Sequence, residues 1–272
     1  MQTVFSSHTK VQPLPGLSSK QLDQYHAEGY VIPDFRFPTA VIDEIRAAHT
    51  RFVRKYPQFI DYCPSLLHYD LSFLNYARFP AILQMVGQVL GQDLILWNSS
   101  LFAKPAHRGR KTPWHQDGEY WPIRPLATCT VWIALDDCTR DNGCLRVIPG
   151  SHKERRLLPH ATNDSPNLTL NQELPASEFN ESGAVDLVLE SGQISLHDVY
   201  LVHGSEANHS ARPRRGMTLR YMPSTSLFDR DAEFELYQRL NSTGPIQRSI
   251  FLVRGTDRHG GNDFSMKAGD LG

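Results

Sequence analysis

Cysteine is scarce. The four in 272 residues, Cys63, Cys129, Cys138 and Cys144, form no Cys-x-x-Cys pair and no zinc-finger spacing, which excludes a disulfide framework and a thiolate metal cluster. Reduced thiols acting as small hydrophobes are expected, and none stands in the electropositive setting of a nucleophile. An excess of one charge is also missing. Lys and Arg number 28 against 29 Asp and Glu, for a net charge of −1 and no long run of either sign. That argues against nucleic acid or an anionic membrane as partner. No apolar run approaches the ~18 residues of a membrane span, and no basic stretch leads into an apolar one near residue 1, so a soluble protein of the cytoplasm is expected. There is no internal repeat, no low-complexity block and no evident linker.

What is present supports a sizeable core, with 40% hydrophobic residues against 21% charged. Residues 1–16 carry two prolines and no periodicity and read as a loose arm. Residues 17–272 read as a single domain, with a helical part over 17–91 and a β core over 92–256. Ser18 or Ser19 can cap a helix over 20–28 that Gly29 ends. After Pro38, Val41, Ile45, Ala48 and Phe52 recur at helical spacing, and Ile82, Leu83, Val86 and Leu90 mark a third helix over 80–90. The period then shifts to two. Strands are expected over 94–104, 128–135, 144–148, 185–189, 193–196, 199–203 and 216–222, punctuated by turns such as Asp141-Asn142-Gly143. A further helix near 232–240 and a last strand over 250–253 complete the reading. Residues 153–184 are polar and aperiodic, as a lid is. Helices first and many short strands afterwards predict a mainly β fold, a sandwich or jelly-roll barrel with helices outside one sheet.

The chemistry concentrates in two places. His115 and Asp117, one residue apart, point to the same face of an extended chain. The second place, 88 residues beyond His115, holds His203, Ser205 and, eleven residues after His203, Arg214. Two imidazoles and a carboxylate can hold Fe(II) while leaving positions open, and a guanidinium fork can grip a carboxylate with two hydrogen bonds. The His-x-Asp pair is weak alone. With 12 His and 18 Asp in 272 residues, roughly one is expected by chance, and His68 and Asp70 form a second pair in the helical half. His197 and His209 compete with His203, and Arg212, Arg215 and Arg220 with Arg214. Spacing alone leaves these choices open.

The stretches WHQD, EYWPIRP, TVWIALDD, NGCLRVIPGSHK and HGSEANHSARPRRG, with LSSKQLDQYHAEGYVIPDF and FPAILQMVGQVLG before them, resemble the phytanoyl-CoA dioxygenase family of Fe(II)- and 2-oxoglutarate-dependent oxygenases. The resemblance covers about residues 17–256. It implies a double-stranded β-helix, with His115, Asp117 and His203 as iron ligands and catalytic residues. It also implies Arg214 and Ser205 on the distal carboxylate of 2-oxoglutarate, and Trp132 with either Ser100 or Leu101 lining the co-substrate site. The reaction it implies consumes O2 and 2-oxoglutarate, releases succinate and carbon dioxide, and hydroxylates an unactivated carbon.

Halogenases of this kind lack the iron-binding carboxylate, which Asp117 supplies here; desaturation, cyclisation or epimerisation would use the same triad. Lys104, Glu119, Tyr120, Trp121 and Arg124 are candidate substrate contacts. Their mixture of charge and aromatic surface suits an amino-acid-like molecule or natural-product intermediate better than an acyl-CoA. A zinc hydrolase on a cupin-like barrel and a non-catalytic barrel are the competing readings. Arg214 speaks against the first, and the complete triad against the second.

Overall fold

The computed structural model describes residues 14–239 and 248–267, with backbone alone for Tyr120, Tyr237 and Arg239. Residues 1–13 of the expected arm and Leu240 at the end of the expected last helix lie outside the described residues. The helices are α1 (Ser19–Glu28), α2 (Thr39–Lys55), α3 (Leu66–Tyr69), α4 (Leu74–Ala77), α5 (Pro80–Leu90) and α6 (Arg230–Arg239). The strands are β1 (Tyr30–Val31), β2 (Tyr62–Cys63), β3 (Leu94–Lys104), β4 (Thr112–His115), β5 (Ile123–Arg124), β6 (Cys129–Ala134), β7 (Leu145–Val147), β8 (Ala161–Thr162), β9 (Gln172–Glu173), β10 (Val185–Leu187), β11 (Ile194–Asp198), β12 (His203–Ser205), β13 (Arg214–Pro223), β14 (Leu227–Phe228) and β15 (Phe251–Arg254).

Two antiparallel sheets form a cupin-like jelly-roll. The larger runs β1-β11-β6-β13-β3-β15, with β2 also on β3, and the smaller runs β10-β7-β12-β4. Alternation along the larger sheet divides its two faces. Val131 and Ile133 on β6, Leu196 on β11 and Met217, Leu219 and Tyr221 on β13 join one core with Ile42, Ile45 and Phe52 of α2 and Ile82 and Val86 of α5. The residues between them face inward, and many are polar. Helices therefore cover the outside of this sheet, and the smaller sheet lies on the side of the inward face, where His115, Leu145 and Ser205 share a cavity with Thr130, Trp132 and Thr218.

Local chemistry explains where the helices begin and end. Ser18 accepts from the Gln21 N–H at 3.3 Å while the Gln21 side chain accepts from the Ser18 N–H at 2.9 Å, a capping box. Gly29 ends α1 in the left-handed region at φ 84°, where a Cβ would also meet the His152 ring 2.6 Å away. Arg46 ties α2 to the larger sheet. Its Nε donates to the Leu135 carbonyl at 2.7 Å and its Nη2 to Ser191 Oγ at 2.8 Å. The Tyr221 hydroxyl reaches from β13 to the Ala77 carbonyl at 2.8 Å.

Two segments differ from the expectation. Residues 199–203 are not one strand: β11 continues to Asp198, the chain turns, and pairing resumes only at His203 in the other sheet. The run Val199-Tyr200-Leu201-Val202 is buried throughout because it crosses between the sheets, and a continuous apolar run carries no period to distinguish that from a strand. Within residues 153–184, β8 and β9 form a small hairpin, with Ala161 opposite Glu173.

His49, on the inner side of α2, is 7% exposed, and burial, reinforced by the nearby Arg215 guanidinium, pushes its imidazole down to about 4. An unfolded histidine titrates near 6.5, so between pH 6.5 and 4 the unfolded chain binds the extra proton and stability falls with pH. Urea midpoints at pH 7 and pH 4.5 should show His49→Leu losing about 2–3 kcal/mol less than wild type across that interval. Equal losses in the two proteins would contradict the assignment.

Candidate metal centre and its cavity

His115 closes β4, and His203, which opens β12, lies directly opposite it in register. Their rings stand 4.2 Å apart between centroids. Each turns Nδ1 onto a backbone carbonyl two residues back, Pro113 at 2.8 Å and Leu201 at 2.9 Å. A carbonyl can only accept, so Nδ1 carries the proton in both and Nε2 keeps its lone pair. Asp117 lies just past the end of β4, at the start of a 3-10 turn, but Gln116 remains extended at φ −112° and ψ 131°. The same-face relation with His115 is therefore preserved. The donor atoms of His115, Asp117 and His203 all lie within 4.8 Å of one another, and all three residues are buried. Two basic imidazole nitrogens and one carboxylate on one side of a common point suit a divalent ion with open positions.

The electrostatics agree with that arrangement. Burial opposes the Asp117 charge, but the imidazoles of His115 and His197 and the Arg220 guanidinium more than offset it and hold the carboxyl well below the usual carboxylate range. One carboxylate oxygen, Oδ1, stands 3.7 Å from His115 Nε2. The other, Oδ2, has His197 Nε2 at 3.6 Å and the Thr130 hydroxyl at 3.4 Å. Burial, with His115 beside it, keeps the His203 imidazole well below its ordinary range and so neutral, the state that binds a metal.

Arg214, at the start of β13, is 3% exposed. It donates from Nε to the Gly143 carbonyl at 3.1 Å, from Nη1 to the Phe102 carbonyl at 3.3 Å and from Nη2 to Ser205 Oγ at 3.4 Å. Burial draws its pKa down. No ion pair joins it to a carboxylate among the described residues, so the site contains a buried guanidinium without a counter-charge, suited to a carboxylate ligand. Its guanidinium lies 5.5 Å over the Trp132 ring. Gly216 makes room for that ring, since a Cβ there would sit 2.2 Å from Trp132 Cζ2.

Of the residues singled out in the sequence, His115, Asp117, His203, Ser205, Arg214 and Trp132 line one cavity. Ser100 lies behind it, accepting from Arg220 and donating to the Pro64 carbonyl at 3.0 Å. Lys104 is opposite Arg214 in register, with its ammonium on the Arg110 carbonyl; burial, with Arg214 beside it, keeps its pKa well below the usual lysine range. Trp121 is packed edge-on against Trp97, with centroids 4.7 Å apart. Glu119 comes within 4.0 Å of His160. Arg124 is exposed and donates to the Ile123 carbonyl at 2.8 Å. The Tyr120 side chain lies outside the described residues.

The cavity also takes Phe102, Thr130, His197, Thr218 and Arg220, of which only His197 and Arg220 stand out in the sequence, as rivals of His203 and Arg214. Strand parity held the signal. His197, Thr130 and Arg220 are consecutive cross-strand partners on β11, β6 and β13, and so form one inward rung beside the Asp117 carboxylate. Gln116 was overlooked altogether. It is fully buried and points away from the triad, donating to the carbonyls of Tyr200 at 2.7 Å and Arg156 at 3.1 Å and accepting from the Leu158 N–H at 2.7 Å. It thus pins both the crossing segment before His203 and the start of the 153–184 excursion.

The phytanoyl-CoA dioxygenase family model matches residues 14–216. A probable phytanoyl-CoA dioxygenase of Caenorhabditis elegans is 30% identical over 189 residues, 66% of this chain and 57% of the relative. The peroxisomal phytanoyl-CoA dioxygenase of Homo sapiens is 34% identical over 161 residues, 56% of this chain and 46% of that protein. A probable alpha-ketoglutarate-dependent hypophosphite dioxygenase of Stutzerimonas stutzeri is 31% identical over 162 residues, 57% of this chain and 54% of the relative. The chain spans about half the length of the curated relatives it matches. Among solved structures, the non-heme monooxygenase ThoJ in its apo form superposes with a TM-score of 0.67 at 26% identity, covering 87% of this chain and 84% of its own. The carbocyclase SnoK, at 23% identity and a TM-score of 0.65 over 85% and 94% of the two chains, shares the fold.

Replacing Gln116 with leucine removes three buried hydrogen bonds and leaves their partners unsatisfied, at a cost of about 2–4 kcal/mol. Hydrogen–deuterium exchange should then rise at residues 156–160 and 198–202 while α5 stays protected. A variant with unchanged exchange in those two segments would show that Gln116 does not hold them.

Proposed function

Because this chain belongs to the phytanoyl-CoA dioxygenase family, we propose that it is an Fe(II)- and 2-oxoglutarate-dependent oxygenase that hydroxylates an unactivated carbon of a small molecule. One observation carries this reading. A single cavity lined by buried side chains joins three convergent candidate metal donors, His115, Asp117 and His203, to Arg214, a guanidinium with no carboxylate partner among the described residues.

When bound, Fe(II) with 2-oxoglutarate and O2 supplies the oxidising power, with succinate and carbon dioxide as by-products. The chain's part is to bind and to exclude. His115 and His203 would hold the ion through Nε2, each kept in position by its Nδ1 bond to the backbone. Asp117 would supply the third ligand and offset part of the ion's charge. Arg214 would receive the distal carboxylate of the co-substrate with Ser205 beside it, and Trp132 would form the wall behind. The inward faces of two sheets keep bulk water from the reacting carbon.

For the substrate we favour an amino-acid-like molecule or natural-product intermediate over an acyl-CoA. Arg214 and Arg220 are the only arginines among the described residues that line the cavity, and no lysine does, whereas a CoA moiety asks for a phosphate-binding cluster. The Stutzerimonas relative, named for hypophosphite, illustrates how small a substrate this family can be assigned. All four thiols are free and buried, as suits a reducing compartment, and among such compartments we favour the cytoplasm.

Succinate formed from 2-oxoglutarate should require added Fe(II) and disappear in His115→Ala. In Arg214→Gln the 2-oxoglutarate concentration for half-maximal rate should rise about a hundredfold, the cost of losing one partner of a buried charged pair. Wild-type protein loaded with Fe(II) that makes no succinate across a broad substrate panel would refute the oxygenase reading.

A further inference from the structure

Arg220 is as buried as Arg214, at 5% exposure, and lines the same cavity. Its guanidinium lies 5.2 Å over the Trp121 ring and 5.9 Å over that of Phe102 and donates from Nη1 to Ser100 Oγ. Its Nε has no hydrogen-bond partner. Aromatic faces hold a guanidinium in place but bring no negative charge. Among the described residues no carboxylate forms an ion pair with it; the cavity's one acidic residue, Asp117, feels its charge without touching it and belongs to the metal set.

Charge bookkeeping on the proposed reading leaves Arg220 over. On that reading the divalent ion would be neutralised by Asp117 and one carboxylate of the 2-oxo acid, and Arg214 by the other. A buried guanidinium that stays unpaired is costly, so a cavity that retains one is built for an anion that arrives later. The position agrees. Arg220 shares its rung with Thr130 and His197, the two residues flanking Asp117 Oδ2, six residues along β13 from Arg214.

We propose that Arg220 receives a carboxylate of the substrate, so that this enzyme selects small carboxylic acids and sets the reacting carbon against the metal by that anchor. The proposal rests on the oxygenase reading above. It identifies Arg220 as the specificity-determining residue and the carboxylate, planar and two-pronged, as the group that matches its fork.

The test uses full-length protein loaded with Co(II) and 2-oxoglutarate. Calorimetry follows binding of a panel of α-amino acids, aliphatic acids and arylpropanoic acids, each beside its carboxamide. Wild type should bind at least one acid about ten- to a hundredfold more tightly than its amide. Arg220→Gln should abolish that preference while binding 2-oxoglutarate as before when Co(II) is kept saturating in both proteins, and Arg220→Lys should restore part of it. No preference for acids in wild type, or the same preference in Arg220→Gln, overturns the proposal and leaves the oxygenase reading intact. A tenfold or greater loss of 2-oxoglutarate affinity in Arg220→Gln also overturns it, because the cation would then serve the co-substrate. Failure of wild type to bind 2-oxoglutarate at all overturns both readings.

Discussion

Everything at the candidate metal centre depends on the register between β4 and β12. His203 pairs with His115 across a short ladder of the smaller sheet, and side chains alternate with a period of two. A slip of one residue would therefore send one imidazole to the opposite face and dissolve the donor set. The same register brings the backbone carbonyls of Pro113 and Leu201 under the two rings. Tautomer and direction are thus set by main-chain geometry before any ligand arrives. Gln116 contributes from the other side of the strand, because turning inward at 115 and 117 requires turning outward at 116, where the crossing segment and the excursion can be tied down.

The larger sheet supplies what the smaller one lacks. Its outer face is an apolar contact with α2 and α5, and its inner face is organised in cross-strand rungs. One holds His197, Thr130 and Arg220, the next Ser195, Trp132 and Thr218, and beyond them Arg214 pairs with Lys104. Burying this many polar groups is expensive unless each finds a partner. Several do, through Ser100, Phe102, Gly143 and Ser205. The two guanidiniums keep positive charge without a carboxylate, and that imbalance marks the cavity as a place for anions.

Much of this was legible in the sequence because local signals agreed with the global fold. Ser18, Gln21 and Gly29 bound α1, Pro80 and Gly91 bound α5, and the alternation from Leu94 to Lys104 is β3 over its whole length. His115, Asp117, His203 and Arg214 stand out in the sequence only through their combination and the family resemblance, since each alone has rivals. The rest depended on facts that one-dimensional patterns do not carry. The apolar run from Val199 to Val202 is buried on all sides and so shows no period. Trp121 and Arg124 follow the metal pair closely, yet the chain turns at Asp117, carrying Trp121 into the Trp97 cluster and Arg124 to the surface. Parity separates Arg220 and His197 from their neighbours, but that their face lines the cavity follows only from α2 and α5 covering the other one.

The central claim is an open, three-ligand metal site with a separate anchor for the co-substrate, and an anaerobic crystal structure with Fe(II) and 2-oxoglutarate tests it most directly. The account predicts iron on Nε2 of His115, Nε2 of His203 and the Asp117 carboxylate, with the 2-oxo acid chelating it and its distal carboxylate on Arg214. His197 is the natural challenger, with Nε2 3.6 Å from Asp117 Oδ2 and its ring 4.8 Å from that of His203. Iron bound by all four side chains, with 2-oxoglutarate absent from it, would describe a closed structural site and contradict the account.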